Sequence, residues 1–193
     1  MLFDPSQESF LIFVPLFMVA FVVVAFALAV RGGSPQDAAA AQTSQKEVSQ
    51  LLEQTKAAAA QLERDALVLE SFTRGHLSWQ SHAGQLARIK ENINSMGEDA
   101  KRLQDLRPAA PWQQQAIDRI IPLLTEMASL TESAIEYLNA EPNKLHTPEY
   151  TEYLKEKAEL AAELSALISD TVKYDRAKAK LTDLEKGLGL TAP

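Results

Sequence analysis

Apolar residues run along this chain in two different patterns, first without interruption and then at every third or fourth position. From Phe10 to Val30 (FLIFVPLFMVAFVVVAFALAV) no side chain is charged and none carries an amide or hydroxyl. As a helix this stretch would be about 31 Å long, matching the ~30 Å hydrocarbon layer of a bilayer. The polar remainder of the chain offers no core large enough to bury it. We therefore read residues 10–31 as a single transmembrane helix after a nine-residue tail, with Pro15 kinking it inside lipid. A cleaved signal peptide is the competing reading, and Ala27-Leu28-Ala29 resembles a cleavage site. Such peptides, however, have a basic start and an apolar stretch of only about 7–15 residues. Here the leader has no Lys or Arg, carries Asp4 and Glu8, and precedes a longer run.

After a hinge at residues 32–34, the pattern becomes that of packed helices. Ser34-Pro35-Gln36-Asp37 reads as a cap, a first-turn proline and the acid of a capping box. A first seam runs Val48, Leu52, Thr55, Ala59, Leu62, Ala66, Leu69, and a second Trp79, His82, Leu86, Ile89, Ile93, Met96, Ala100, Leu103. The third runs Ile117, Ile121, Leu124, Ala128, Thr131, Ile135, Leu138, and the fourth Leu160, Leu164, Leu167, Thr171, Tyr174, Lys178, Leu181. Neighbouring Leu51, Ile120, Met127, Leu154 and Ile168 widen these seams into stripes suited to a bundle core. Arg107-Pro108-Ala-Ala-Pro111 is a turn, as is Asn139 to Pro148, where Thr147-Pro148-Glu149 restarts a helix. A third break falls near Gly75, among Ser71, Thr73 and Ser78. Pro122 should bend the third helix. Glu70→Arg74 and Glu98→Arg102 are expected ion pairs on exposed faces.

The fold expected is all-α: the transmembrane helix, then an up-down-up-down four-helix bundle over residues 35–186, then a tail over 187–193. Its helices would have about 38, 30, 31 and 39 residues, a bundle about 45–60 Å long. The alternative is a long antiparallel helical hairpin or coiled coil, should the chain stay helical through residue 75.

Charge narrows the partners. The chain carries -7 overall; all 19 Lys and Arg and 24 of the 26 acids follow residue 30, leaving the body at -5. That balance argues against nucleic acid and against an anionic lipid surface. Lys173, Arg176, Lys178, Lys180 and Lys186 form the one basic concentration, and late in a helix they complement its macrodipole. With no cysteine, disulfides, thiolate metal sites and thiol catalysis are excluded. A basic residue directly after the span (Arg31) and none before it is a positive-inside vote for a cytoplasmic body.

Chemistry is sparse. His76, Trp79 and His82 cluster, but i,i+6 spacing sets the two imidazoles on different faces, and His82 falls on the seam. No histidine has a glutamate three residues before it, which excludes the Glu-x-x-His di-iron arrangement of helical bundles. There is no glycine-rich phosphate loop, and the carboxylates lie on solvated faces. We expect no catalytic residue, no metal and no cofactor; this is not the sequence of an enzyme. Trp112 after Pro111 would cover the bundle end. Trp79, His82, Trp112, Tyr153 and Tyr174 are the candidates for a ligand or an interface, with Trp79, Tyr153 and Tyr174 able to line a pocket between helices.

An anchor followed by a bundle resembles the sensory domain of four-helix chemoreceptors, but those return to the membrane through a second span that this sequence does not show. The stretches His76-Leu-Ser-Trp-Gln-Ser-His82 and Pro111-Trp-Gln-Gln-Gln-Ala-Ile-Asp118 are similar to an uncharacterised group of exported or membrane-anchored bacterial helical-bundle proteins. That resemblance covers most of residues 65–185, implies no activity, and favours an extracytoplasmic body over the charge vote. The function expected is a single-pass, membrane-anchored scaffold, adaptor or accessory subunit. It would act by contact with a protein partner or by self-association, with the lipid bilayer as its other partner. A bundle that senses a small ligand between its helices is the alternative.

Overall fold

The computed structural model describes residues 35–106 and 110–190, with side chains at residue 43 and from residue 45 onward. The expected transmembrane segment 10–31, hinge 32–34, Ser34 cap, Asp37 capping box and turn at 107–109 lie outside the described residues. So does the last part of the tail. No described helix is long and apolar enough to cross a membrane.

The described residues form four helices and no strand: α1 (Pro35–Arg74), α2 (Trp79–Asp105), α3 (Pro111–Ala140) and α4 (Pro148–Gly187). Each packs on its neighbours in sequence, and α4 closes the ring against α1. The antiparallel run of α1 and α2 is pinned by two hydrogen bonds: Gln85 Nε2 donates to the Asp65 carbonyl at 2.9 Å, and Asn92 Nδ2 to the Ala58 carbonyl at 3.2 Å. Around the first bond a polar chain satisfies the buried Gln85. Its Nε2 also reaches Asp65 Oδ1 at 3.0 Å, and its Oε1 accepts from Arg88.

The break at residue 75 is real, and it removes the single long hairpin as an alternative. Leu77 N donates to the Phe72 carbonyl at 3.2 Å, closing α1 in a Schellman-type turn with His76 left-handed at φ 50°. Ser78 then caps α2, its hydroxyl accepting from Ser81 N at 3.4 Å. At the start of α4, the expected Thr147 cap does not form. Thr147 Oγ1 donates instead to the Lys144 carbonyl at 3.0 Å, which leaves it to accept from the Tyr137 hydroxyl at 2.7 Å. The hydroxyl binds turn to helix rather than capping α4.

All seven residues of the first seam are buried, as are all of the second except Trp79, which is exposed at the first position of α2. In the third seam Ile117, Leu124, Thr131 and Leu138 are buried as expected, and the three positions between them are displaced by one residue. Ile120, Met127 and Ala134 face the core, while Ile121, Ala128 and Ile135 sit at its margin. Both choices obey 3–4 spacing, and the sequence held apolar residues at both. In the fourth seam Leu164 and Thr171 are buried and Leu160 and Leu167 half-buried at the core margin, beside the buried Ala161, Ile168 and Val172; Tyr174, Lys178 and Leu181 are exposed. Here the reason is length. The core ends in a layer of Val48, Leu51, Leu52, Leu103, Ile117 and Val172. Beyond it α2 stops at Asp105 and α3 has not begun, so α4 runs on without them.

Pro122 lies on the exposed side within a continuous α3, where water can serve the Asp118 carbonyl that its missing N–H would have bonded. The Glu70–Arg74 pair forms at 2.8 Å, whereas Arg102 approaches Asp99 at 3.7 Å rather than Glu98.

The displaced third seam is testable by truncation. Ile120→Ala should cost about 2–5 kcal/mol of unfolding free energy in urea titrations, as for buried isoleucines generally. Ile121→Ala should cost clearly less, and equal losses would return the seam to the displaced register.

Candidate functional site: the histidine end of the bundle

Two connections lie at the same end of an antiparallel bundle, the α1–α2 turn and the α3–α4 turn. Between them is a cavity of about 260 Å³. Its apolar wall includes Phe72, Leu77, Trp79 and Leu145, and all three histidines of the chain line it: His76, His82 and His146. No Asp, Glu, Lys or Arg does. The imidazoles do not converge on one point; among the described residues no group of histidines and carboxylates could hold a metal ion. His76 and His146 stand exposed with ring centres 6.4 Å apart.

His82 closes the cavity from the core side, fully buried. Its ring meets Phe72 edge-on at 5.4 Å, and its Nδ1 lies 3.1 Å from the Tyr150 hydroxyl. Tyr150 is itself fully buried and stacks on Tyr137 at 5.3 Å, which in turn meets Tyr153 at 6.2 Å. Burial pushes the Tyr150 phenol well above its ordinary range, so it stays protonated, and pulls the His82 imidazole down, so it stays neutral. The Tyr150 hydroxyl donating to Nδ1 leaves a single unmet group, an Nε2–H donor. The reverse tautomer would leave two, the tyrosine proton and the Nε2 lone pair. Nε2 has no hydrogen-bond partner.

The five sequence candidates separate by end. Trp79, His82 and Tyr153 belong to this one. Trp112 and Tyr174 pack edge to face at 5.1 Å at the other, with Tyr174 24 residues, about 36 Å of helix, beyond Tyr150. The pocket expected from Trp79, Tyr153 and Tyr174 therefore does not form. The cluster of His76, Trp79 and His82, set aside because i,i+6 spacing divides the faces of a helix, does share one cavity. His76 precedes α2, so helical spacing never applied to it. His146 went unconsidered, although two same-end turns each carrying a histidine were readable from the topology.

Lys157 was also missed. Its Nζ is fully buried among the core side chains of α4 with no partner, and burial pulls its pKa from 10.5 down to about 7. Its position three residues after Leu154 and four before Ala161 puts it on the core stripe, the one signal available. Gln113 likewise buries both polar side-chain atoms unpartnered at the opposite end.

Comparison with family models, with curated proteins and with solved structures gives no match for this chain. The site is therefore read from its own chemistry.

Lys157 sets a pH dependence of stability. Unfolded, it holds its proton up to about pH 10.5; folded, it releases it near 7. Between these values the unfolded state binds more protons, so stability should climb with pH by about 1.4 kcal/mol per pH unit from this group. It should level off below pH 7. Lys157→Met should raise stability at pH 7 by about 1–4 kcal/mol and flatten that climb in denaturant titrations from pH 7 to 10. A destabilised Met variant would show that the amine is satisfied.

Proposed function

We propose that this protein is a single-pass, membrane-anchored helical bundle that works by contact, as a scaffold that pairs with a second copy of itself. One observation carries the reading. Past Val172, the last buried residue of α4, Tyr174, Ala177, Leu181, Leu184 and Leu188 continue a 3–4 apolar spacing, all exposed, with Leu181 and Leu184 more than half and Leu188 72% exposed. This spacing is the a/d seam of a two-stranded coiled coil.

The flanking charges are mixed for a parallel pair of identical helices: Lys173 (g) would face Lys178 (e) of the other copy, a repulsion, against one attraction nearer the C-terminus. With Leu181 at a and Leu184 at d, Lys180 is a g residue and Glu185 the following e residue. In a parallel pair, Lys180 of each copy then faces Glu185 of the other, twice by symmetry. A shared membrane would impose the same orientation. If residues 10–31 anchor each copy, both α4 helices point alike and confinement raises their effective concentration. A two-heptad seam is marginal on its own, and that confinement is what would make it sufficient.

The resemblance to exported bacterial helical proteins favours an extracytoplasmic body. Protease should then digest the body once the outer permeability barrier alone is opened; digestion only after the inner membrane is breached would put it in the cytoplasm. The absence of cysteine makes the pairing directly testable. Oxidation of Leu184→Cys in membranes should give a disulfide dimer, and Thr182→Cys, off the seam, should not. Monomer alone from Leu184→Cys, or equal crosslinking from both positions, would remove the self-pairing scaffold.

A further inference from the structure

The cavity at the histidine end is bordered by a buried imidazole whose outer nitrogen is unpartnered, and it is independent of the leucine seam at the other end. We infer that it binds a small aromatic or similarly flat carboxylic acid, with the carboxylate received by the His82 Nε2–H. Three observations converge. His82 is fully buried and lines the cavity, and its Nε2 is unpartnered while Nδ1 is held by Tyr150. An N–H left without an acceptor in an interior is destabilising, and a ligand oxygen would remove that cost.

The walls fix the rest of the ligand. Phe72, Trp79 and Leu145 offer ring faces and aliphatic surface, which suit a flat apolar body. An apolar cavity of about 150 Å³ accepts benzene, so about 260 Å³ has room for one ring and its carboxylate. The charge of the lining gives the sign. In a chain with net charge -7, this cavity is lined by three imidazoles and no carboxylate, so nothing in its lining repels an anion.

His76 adds the third observation. It holds the left-handed position at the end of α1 at φ 50°, directly after Gly75, which could have adopted it at lower cost. A non-glycine side chain kept in that conformation marks a constrained position, here one that lines the cavity.

The probe is benzoate, and the protein is the full chain carrying Trp112→Phe, which leaves Trp79 as the only tryptophan. Titration should give a saturable change in Trp79 fluorescence and shift the His82 imidazole ¹⁵N resonances. Benzamide, the neutral isostere, should bind at least tenfold more weakly. His82→Phe should abolish the response. Because that variant also unpairs Tyr150, the exposed His146→Asp serves as the second, placing a carboxylate at the mouth of an intact fold; it should weaken benzoate at least tenfold. No saturable response to benzoate, equal binding of benzamide, or indifference to both variants would overturn the proposal. Stoichiometric zinc perturbing all three imidazoles, with benzoate inert, would overturn it in favour of a metal site.

Discussion

Each helix of this bundle has one apolar stripe, and the four stripes can be buried only where all four helices run side by side. Everything else in the described structure follows from how far that condition holds. It holds from the layer of Val48, Leu103, Ile117 and Val172 up to Leu138, Leu145 and Tyr150. Over that length aliphatic side chains interdigitate with little polar content, and the dominant stabilisation is their removal from water. Where it fails, at the end of α4, the same spacing continues without cover. The exposed leucines of α4 are thus a consequence of unequal helix lengths, and a seam without an internal partner is open to an external one.

Much of this was legible in the sequence because helical periodicity is a local property. All seven residues of the α1 seam face the core, because apolar alternatives adjoin it only at Leu51 and at Leu67-Val68 and alanines or polar residues flank the rest. The α3 seam is displaced at three of its seven positions because Ile120-Ile121, Met127-Ala128 and Ala134-Ile135 each offered two apolar choices. Which of them faces inward depends on how α3 rotates against α2 and α4. The α4 seam was carried too far because its periodicity persists past Val172; what ends is the set of neighbours. Helix lengths contained that information, but only once the turns at residue 75 and near residue 108 were both accepted.

The site was less legible, for a physical reason. His76, His82 and His146 are brought together by two turns and a helix start, and no spacing rule for a single helix describes that. Lys157 was invisible for the opposite reason. Lysines usually leave a core by extending their heads to water, and this one has a fully buried Nζ.

The polar groups left unpaired inside are distributed unequally, and that difference bears on what each could do. Gln85 is as deeply buried as His82, yet Asp65 and Arg88 satisfy it completely, so it fixes the register of α1 on α2. Lys157 is unpaired but surrounded by core side chains. It weakens the bundle near neutral pH and eases as the amine loses its proton, which is a property of stability alone. His82 is unpaired and lines a cavity, so its missing partner could come from solution. An orphaned polar group becomes a binding determinant only where space adjoins it, and of Lys157, Gln113 and His82 only the last lines a cavity described here. The leucine seam and the histidine cavity then occupy opposite ends of one rigid set of helices. A ligand at one could influence pairing at the other only by changing the stability of the core between them.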